Sequence, residues 1–491
     1  MPVAVIDFGT HSSGITWGPN DDTIIDNFHY QNKALNNKYA KTKTAFLVSK
    51  SILENIDLLP DDEIKPSAHE RNEDTNVWLG DIAQIKYLDL AKNTSWIYFD
   101  RFKMCLYNRD SVVIGSDKKE YNLEKIITFF IKCLKIEFLS THTELNCNTL
   151  KWGVTIPIIW DEHEKSIMKT AASKALNQEP IFILEPEGAA ISFSLQHYGN
   201  KDSANIRQNE YFLVIDCGGG TTDIVAQKLI VENQQAKYEE LTSAKGRAKA
   251  GGDIDDKFWE LLAEKLATKE RRLGTPLAEY VESFRKNNVA GWHQMEQQWL
   301  SRKHNPASSD KIRFDFPRSY SIWLKENHQD AFNAFDDDFG CTIIFSRQEI
   351  EEKVFKPGVD EIIAAAQESA QSVSKLDYIF LAGGLSGLAY LQNAVKESFA
   401  KSHPGAQVLF EHYSDHATAL PGGSIMRGAA VILARAINHT QSVNAKKEIS
   451  DVKNTVTVSE QWYKSDTAIS VKNILKDDFD DLADIFKDFD S

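Results

Sequence analysis

Apolar runs and short polar turns alternate at the start of the chain. Residues 3–6 are all apolar, and the run ends on Asp7. A continuous apolar run is typical of a strand that is buried on both faces of a sheet. A polar turn between Gly9 and Gly14 then leads to a second strand at residues 15–18. The pattern predicts a hairpin with hydroxyl groups at its tip.

The same pattern returns in the middle of the chain. Residues 211–215 are apolar, Asp216 ends the run, and a turn rich in glycine and threonine precedes another strand. About 209 positions separate Asp7 from Asp216. This internal duplication indicates two similar lobes that face each other. We expect lobe I in residues 1–205 and lobe II in residues 206–437.

Between and after the hairpins, strands alternate with amphipathic helices. The predicted strands are residues 45–48, 152–159, 181–184 and 378–381, and the predicted helices are residues 121–139, 162–176 and 347–370. Residues 185–188 (EPEG) predict a break before a helix that starts at residue 189. Residues 263–340 predict a helical or mixed insertion within lobe II. The alternation predicts an α/β fold.

Composition narrows the classes of partner. The chain has 491 residues, of which 42% are hydrophobic and 26% charged, as in ordinary globular proteins. Its net charge is −15. A field of this sign repels phosphate backbones and anionic lipids, so we expect neither nucleic acid nor a membrane as a partner.

Cysteine usage and the apolar runs indicate a compartment. The five cysteines are irregularly spaced and include no C-x-x-C pair, which argues against a zinc site or a redox dithiol. The first residues lack a basic secretory signal, and no run reaches the roughly 18 to 20 apolar residues of a membrane helix. We expect a cytoplasmic protein with reduced thiols.

Two carboxylates at the ends of apolar strands require compensation. A buried carboxylate is costly to keep charged unless a cation or hydrogen-bond donors accompany it. Glycine and threonine follow both Asp7 and Asp216, and such residues let backbone N–H groups approach an anion closely. The pair predicts two phosphate-binding hairpins with Mg²⁺, which favours one or two carboxylates plus substrate phosphates. The alternative is two unrelated tight hairpins. A G-x-x-x-x-G-K-[ST] phosphate loop does not occur in the sequence.

Seven short motifs in a fixed order resemble a known family. They are IDFGTHSS (6–13), GVTIP (153–157), LEPEGAA (184–190), DCGGGTTD (216–223), AGGD (250–253), LAGG (381–384) and RGAA (427–430). Together with KTKT (41–44), they resemble the nucleotide-binding domain of the seventy-kilodalton heat-shock (DnaK-type) proteins, members of the actin-like ATPase superfamily. The segment WIYFDRFKM (96–104) and the EPE variant are most similar to the atypical heat-shock 12A-like branch.

The resemblance implies an actin-like ATPase fold, with two similar lobes around a central cleft that binds ATP or ADP and Mg²⁺. The implied phosphate-binding residues lie in the two turns: Gly9, Thr10, His11 and Ser12 in the first, and Gly218, Gly219, Gly220 and Thr221 in the second. Asp7 and Asp216 are the implied metal residues and order the water shell of Mg²⁺.

The resemblance also implies roles in hydrolysis. Lys103 faces the γ-phosphate and orients the attacking water, with Arg101 as the alternative cation. Glu185 polarises water or the metal shell, Thr221 supplies a hydroxyl to the γ-phosphate, and Asp216 completes the catalytic set. Phosphoryl transfer depends on positioning and electrostatics more than on covalent chemistry, which suits a site made of turns and point charges.

The adenosine side is implied by three segments. Gly383 and Gly384 match a turn where absent side chains let the purine approach, and Gly252 with Asp253 belongs to the AGGD motif. Lys303 is assigned from residues 290–310, where further adenine contacts are expected.

Two positions depart from the family pattern. His11 replaces a hydroxyl of the first turn and brings an imidazole beside the phosphates, where it donates a hydrogen bond or titrates. The alternative is an exposed turn histidine. Gly387 stands where the family stacks an arginine on adenine, so the adenine selectivity is open.

We therefore expect an Hsp70-like ATP-binding protein. Slow Mg-dependent ATP hydrolysis would drive lobe closure, making it a nucleotide-dependent switch for an unknown protein partner. Whether the protein is an enzyme stays open, and a weak ATPase is the favoured interpretation. One alternative is a nucleotide-sensing adaptor that does not hydrolyse ATP. A less favoured one is a small-molecule kinase of the same superfamily.

The last residues predict a short tail. Residues 438–491 are polar to acidic. These 54 residues are fewer than the roughly 200 that a peptide-binding β-sandwich and its helical lid need. We therefore expect no peptide-binding domain, unlike in a conventional peptide-clamping chaperone.

Overall fold

Strands and helices alternate along the chain, and the predicted α/β class is confirmed. The computed structural model describes residues 2–18, 26–27, 30–32, 37–39, 41–56, 59–68, 74–90, 95–145, 149–198, 210–232, 235–242, 245–247, 250–267, 277–304, 310–411 and 423–451. Most of the predicted tail, from residue 452 onward, lies outside the described residues.

Short strands and longer helices make up the first half. The strands are β1 Val3–Phe8, β2 Ser12–Gly18, β3 Asp26–Asn27, β4 Tyr30–Asn32, β5 Asn37–Tyr39, β6 Lys41–Lys43, β7 Ala45–Ser49, β8 Pro66–Ser67, β9 Val77–Leu79, β10 Trp96–Asp100, β11 Val112–Ile114, β12 Glu120–Asn122, β13 Lys151–Ile156 and β14 Ile181–Leu184. The helices are α1 Lys50–Glu54, α2 Gly80–Asp89, α3 Met104–Tyr107, α4 Leu123–Thr141, α5 Glu162–Leu176 and α6 Glu185–Tyr198.

The second half is richer in helix. Its strands are β15 Glu210–Cys217, β16 Thr222–Glu232, β17 Gln235–Glu240, β18 Lys245–Arg247, β19 Lys311–Asp315, β20 Thr342–Ser346, β21 Tyr378–Ala382 and β22 Gln407–Phe410. Its helices are α7 Gly251–Ala267, α8 Leu277–Asn287, α9 Val289–His304, α10 Arg318–Asn327, α11 Gln329–Phe339, α12 Arg347–Ile350, α13 Lys356–Ala370, α14 Ala389–Ser402 and α15 Ser424–Asp451. A π-helical segment, Glu351–Phe355, joins α12 to α13.

The predicted helix at residues 162–176 is confirmed as α5. Asp161 caps it, because its side chain accepts from the His163 N–H at 2.8 Å while Glu164 accepts from the Asp161 N–H at 2.9 Å. Asn177 ends the helix in the left-handed conformation. Both are local signals that a sequence shows directly.

The predicted break at residues 185–188 is wrong. Helix α6 begins at Glu185 and includes Pro186. Proline is tolerated in the first turn of a helix, because the N–H that it lacks has no partner within the helix there. Strand β13 also ends before the predicted residue 159, at Ile156, because Pro157 cannot donate to a sheet.

Two sheets share one connectivity. The first runs β14-β13-β1-β2-β3, with β6 also paired to β2, and the second runs β22-β21-β15-β16-β17, with β18 also paired to β16. In each sheet the central hairpin is antiparallel and the next two strands are parallel. The duplication that Asp7 and Asp216 indicate therefore extends to both sheets.

Strand β1 is buried on both faces, as its apolar run predicts. Ala4, Ile6 and Phe8 belong to a core that includes α4 and α5. Val3 and Val5 point the other way and pack with α15. Because side chains alternate along a strand, a run with no polar position fits a strand that is covered twice. Strand β15 is covered in the same manner, by α7 and α13 on one face and by α6 on the other.

Helix α6 contributes to the cores of both sheets. Ile191 packs beneath the first sheet and Phe193 beneath the second. Helix α15 crosses α6 at close range, since a Cβ atom on Gly428 would overlap the carbonyl oxygen of Gly188. At this crossing only glycine lets the two backbones touch.

Helix α15 returns the chain to the first sheet. It packs on β1, β2 and β13, and it continues through the predicted boundary between residues 437 and 438. The lobe limits at residues 205 and 437 stay predictions, and this helix does not follow them. No helix in the described part of the chain is long and apolar enough to cross a membrane.

Candidate functional site

The two hairpin turns meet. In the first, Thr10 is almost fully buried, and in the second the Gly218 N–H donates to the Thr221 carbonyl oxygen at 2.8 Å. A Cβ atom on Gly220 would lie 2.7 Å from the Thr10 hydroxyl oxygen and 2.7 Å from the Met104 sulfur. The glycines therefore permit a close approach of the two turns.

Asp7 lies at the base of the first turn with compensating partners. The Thr155 hydroxyl donates to its Oδ1 at 2.9 Å, and the Lys41 ammonium lies 2.5 Å from its Oδ2. Burial alone would lower the pKa of Lys41, but the charge and hydrogen bond of Asp7, together with the charges of Glu411 and Asp216, outweigh burial and raise that pKa. The pair is a buried ion pair next to the turn.

The second hairpin contributes two carboxyl groups, since Asp216 and Asp223 pair across it. The Ile158 N–H donates to Asp223 Oδ1 at 3.0 Å. Asp216 Oδ1 and Asp223 Oδ2 are buried without a hydrogen-bond partner among the described residues. Burial, followed by the charge of Glu185, raises the pKa of Asp216 well above its usual range and that of Asp223 to about 8.

Lys103 belongs to this cluster and Arg101 does not. Lys103 is buried, with its Nζ 3.3 Å from Glu185 Oε1 and 5.0 Å from the centre of the Trp160 ring. Burial raises the pKa of Glu185, and the Lys103 charge opposes that rise. Arg101 is about half exposed and lies 3.6 Å from Glu296 of α9. Of the two cations that the sequence predicts, only Lys103 contacts the site carboxylates in the described structure.

The start of α7 supports the second turn. The N–H of Gly251 donates to the Gly218 carbonyl oxygen at 3.2 Å, and the N–H of Gly252 donates to that of Gly219 at 2.8 Å. Asp253 caps its own helix by accepting from the Ala250 N–H at 2.8 Å. The AGGD motif thus holds the turn in place through backbone contacts.

Lys303 lies beneath α7 and is engaged within the second half. Its Nζ donates to the Gly251 carbonyl oxygen and to Asp255 Oδ1, both at 2.9 Å. Asp255 also accepts from the Trp299 ring N–H at 2.6 Å. Burial lowers the pKa of Lys303, and the charge of Asp255 opposes that fall.

Gly383 packs against the site, whereas the space beside Gly384 is empty. Gly383 has φ = +81°, and a Cβ atom there would overlap Asp216 Oδ1. Around Gly384 a Cβ atom would meet no atom within 4 Å. Gly387 ends the 3₁₀ turn Gly384–Gly387. The Asp216 carboxylate of the second hairpin therefore lies directly against Gly383.

His11 and Ser12 follow the tip of the first turn. Ser12 opens β2 and pairs with Lys43. His11 reaches the second turn, where its Nδ1 atom would overlap a Cβ atom on Gly219. Nδ1 is buried and has no hydrogen-bond partner in the described structure. Burial, and next the charge of Arg101, lowers the pKa of His11 to about 4.

The residues suit a magnesium nucleotide better than a directly ligated metal. Among the described residues, no three His, Cys, Asp or Glu side chains converge on one point where they could hold a metal ion. Magnesium bound mostly through waters and phosphates needs only one or two carboxylates, and the unpartnered Oδ1 of Asp216 is one such acceptor. The two turns approach each other closely, with the His11 imidazole lying against Gly219 between them.

Three further site residues were absent from the predicted set. Lys41 and Thr155 contact Asp7, and Asp223 pairs with Asp216. Each lies within a motif that was recognised, namely KTKT, GVTIP or DCGGGTTD. Membership in these motifs was the sequence signal that could have identified the three residues as part of the site.

A separate cavity of about 430 Å³ lies between α7, α8 and α9. Trp259, Trp292 and Lys286 line part of it. None of the carboxyl groups that surround Lys103 does, so the cavity is distinct from the paired turns.

Relatives of the chain were found by comparison with known proteins. No family model matches the sequence. Heat shock 70 kDa protein 12A of Homo sapiens is 22% identical over 389 residues, covering 64% of this chain and 56% of that protein. Heat shock 70 kDa protein 12B of Homo sapiens is 21% identical over 418 residues, covering 70% and 59%. Chaperone protein DnaK of Thermosipho melanesiensis is 23% identical over 288 residues, covering 58% and 42%. The chain spans about half the length of these curated relatives.

These relatives make the chain similar to Hsp70-like proteins. Within that class, homologues of this chain include the 12A and 12B proteins, so the resemblance to the atypical 12A-like branch is confirmed.

Proposed function

We propose that the protein binds ATP between the two hairpin turns and hydrolyses it slowly with Mg²⁺. The fold would be that of an actin-like ATPase, with lobe I in residues 1–205, lobe II in residues 206–437, an insertion at about residues 263–340, and a cleft between the lobes. Nucleotide state would set how closely the lobes approach, which makes the protein a switch.

The proposal is carried by one observation, the contact between two glycine-rich turns that each follow a buried aspartate. The duplicated sheets bring Asp7 and Asp216 into one cluster with Glu185 and Lys103, although Asp7 and Asp216 are about 209 positions apart. A cluster with unpartnered carboxylate oxygens beside two glycine-rich turns suits a polyanion that is bound together with a cation.

The turns would bind the phosphates through backbone N–H groups and through the hydroxyls of Thr10, Ser12 and Thr221. Asp7 and Asp216 would hold the waters of the Mg²⁺ shell. Bound Mg²⁺ supplies charge neutralisation for the phosphates. Gly252, Asp253, Lys303, Gly383 and Gly384 would form the adenosine side of the cleft.

Lys103 and Glu185 would act on the attacking water. The Lys103 ammonium is buried beside Glu185, so it offers a positive charge in a site that excludes bulk water. Its field favours the charge that develops during phosphoryl transfer, while Glu185 orients the water. The Thr221 hydroxyl would donate to the γ-phosphate.

The test is a titration with ATP and with ADP in which released phosphate is measured in the same samples. We expect binding of both nucleotides and slow Mg-dependent phosphate release from ATP. Lys103→Ala and Thr221→Ala should lower the release rate by roughly 10²-fold or more, the cost of removing one preorganised electrostatic group.

A matched control is Lys174→Ala, which removes an exposed lysine of α5 that pairs with Glu124. It should leave phosphate release unchanged. Release by the wild-type protein no faster than by Lys103→Ala would contradict hydrolysis. Tight binding without any single-turnover release would instead select the nucleotide-sensing adaptor. ATP-dependent phosphorylation of a sugar would select a small-molecule kinase.

A further inference from the structure

His11 lies at the junction of the two turns, where the resemblance implies a hydroxyl. Its Nδ1 atom is buried without a hydrogen-bond partner in the described structure, and it lies against Gly219 of the opposite turn. Its Cε1 atom is 3.8 Å from the position that a Cβ atom on Gly252 would occupy. The imidazole therefore occupies the space between the turns while its polar atom remains unsatisfied.

Charged groups from four elements face this imidazole. Lys43 of β6 and Arg101 after β10 approach from the first half, and Asp255 of α7 and Lys303 of α9 approach from the second. Burial and the three cations outweigh Asp255 and hold the pKa of His11 at about 4. Without a ligand, the ring is therefore neutral near neutral pH.

We propose that His11 takes up a proton from solvent when nucleotide phosphates bind between the turns, and that the imidazolium then donates a hydrogen bond to a phosphate oxygen. This inference rests on the proposed function, because it assigns a role to one side chain of the same site. The proton returns to solvent when the nucleotide leaves, so binding is coupled to pH.

The coupling has a definite sign. The bound polyanion raises the pKa of His11 above its value in the free protein, so the bound state holds more protons than the free state. Affinity must then rise as pH falls through the pKa of the bound state, and it stops rising below the pKa of the free state. A hydroxyl at this position does not titrate in this range and gives no such coupling.

The experiment is calorimetry with ADP and excess Mg²⁺ on the full chain. Titrations in buffers of different ionisation enthalpy measure the protons taken up. We expect wild-type protein to take up a fraction of one proton, and its dissociation constant to fall roughly fivefold between about pH 8 and about pH 6. His11→Asn should bind ADP with the proton uptake removed and a flatter pH profile. His11→Thr, with the implied hydroxyl, should behave in the same way.

His163→Asn is the matched control, because His163 is exposed on α5, away from the turns. It should retain the wild-type proton uptake. The nucleotide's own protonation is common to all variants and cancels in the comparison. Wild-type binding without proton uptake at about pH 7, or equal uptake by wild type and His11→Asn, would overturn the role of His11 alone. Failure of wild-type protein to bind ADP would overturn the proposed function instead.

Discussion

At the scale of the residue, burial raises the pKa of some carboxyl groups, so that side chains that would be ionised in the unfolded chain hold a proton in the folded protein. Glu187 of α6 has its Oε2 buried without a hydrogen-bond partner among the described residues. Burial, and next the charge of Glu240, raises its pKa from 4.5 to about 8. The folded state therefore holds this proton more tightly than the unfolded chain does. The contribution of protonated Glu187 to the free energy of unfolding is therefore complete below about pH 4.5 and is lost as pH rises to about 8.

Glu187→Gln should remove that loss, because the amide keeps the shape of the side chain and does not ionise. We expect the free energy of unfolding near pH 8.5 to rise by about 1 to 3 kcal/mol, given about 1.4 kcal/mol for each pKa unit. Near pH 5 it should change little. Thermal unfolding followed by circular dichroism at both pH values measures this. Glu54→Gln, at an exposed site in α1, serves as the control. A variant that is less stable at both pH values would contradict the prediction.

The site was predicted best where its residues follow strands directly. Asp7, Asp216 and the glycines of the turns can be identified from the order of residues alone. Lys41 and Thr155 were missed as partners of Asp7 because they reach it only through the pairing of distant strands. The charge state of His11 could not be predicted from the sequence, because its pKa depends on charged groups from four elements.

At the scale of the element, local signals explain which predictions succeeded. Helix α5 was predicted from its charged-then-apolar pattern, and the structure shows Asp161 and Asn177 as the local capping residues that fix its ends. The start of α6 was missed because a proline in the first turn of a helix and a proline in a break look alike in sequence. The length of α15 was missed because polar residues after position 437 resemble a tail, whereas the structure continues the helix to Asp451.

The crossing of α6 and α15 depends on glycine. A Cβ atom on Gly428 would overlap the Gly188 carbonyl oxygen, which is backbone and cannot rotate away. We expect Gly428→Ala to lower the free energy of unfolding by about 2 to 4 kcal/mol, because the helices must separate. Urea denaturation measures the change. Gly405→Ala is the control, since a Cβ atom there would meet nothing within 4 Å. Equal stability of the two variants would show that the crossing adapts without cost.

At the scale of the whole molecule, polar contacts join the two halves outside the turns. The side-chain amide of Gln84 lies 2.6 Å from His293 Nδ1, and Lys43 donates to Gln84 Oε1 at 2.7 Å. Arg101 and Glu296 lie 3.6 Å apart at the same face. The Gln84–His293 and Arg101–Glu296 contacts join the first half to α9, so they would break if the halves separated. The Lys43–Gln84 hydrogen bond stays within the first half and positions Gln84. The duplicated sheets were predictable from sequence, but these contacts were not, because no local pattern pairs residues about 209 positions apart.

If nucleotide leaves by separation of the halves, Gln84→Ala should speed its release. Losing one hydrogen bond between the halves, worth about 0.5 to 1.5 kcal/mol, corresponds to a roughly two- to tenfold faster rate. Stopped-flow release of a fluorescent ADP analogue measures it. Gln367→Ala removes a hydrogen bond to Ser398 within the second half and should leave the rate unchanged. A rate for Gln84→Ala equal to that of wild type would mean that release does not require these contacts to break.

The return of α15 to the first sheet has a consequence for biosynthesis. Val3 and Val5 emerge from the ribosome among the first residues, yet Ala430 and Leu433, which cover them, are made more than 400 residues later. At about 5 to 20 residues per second, that face of the sheet stays uncovered for roughly 20 to 80 seconds. The nascent first half therefore cannot complete its core while the second half is being made, and over that interval the apolar face formed by Val3 and Val5 stays exposed to water.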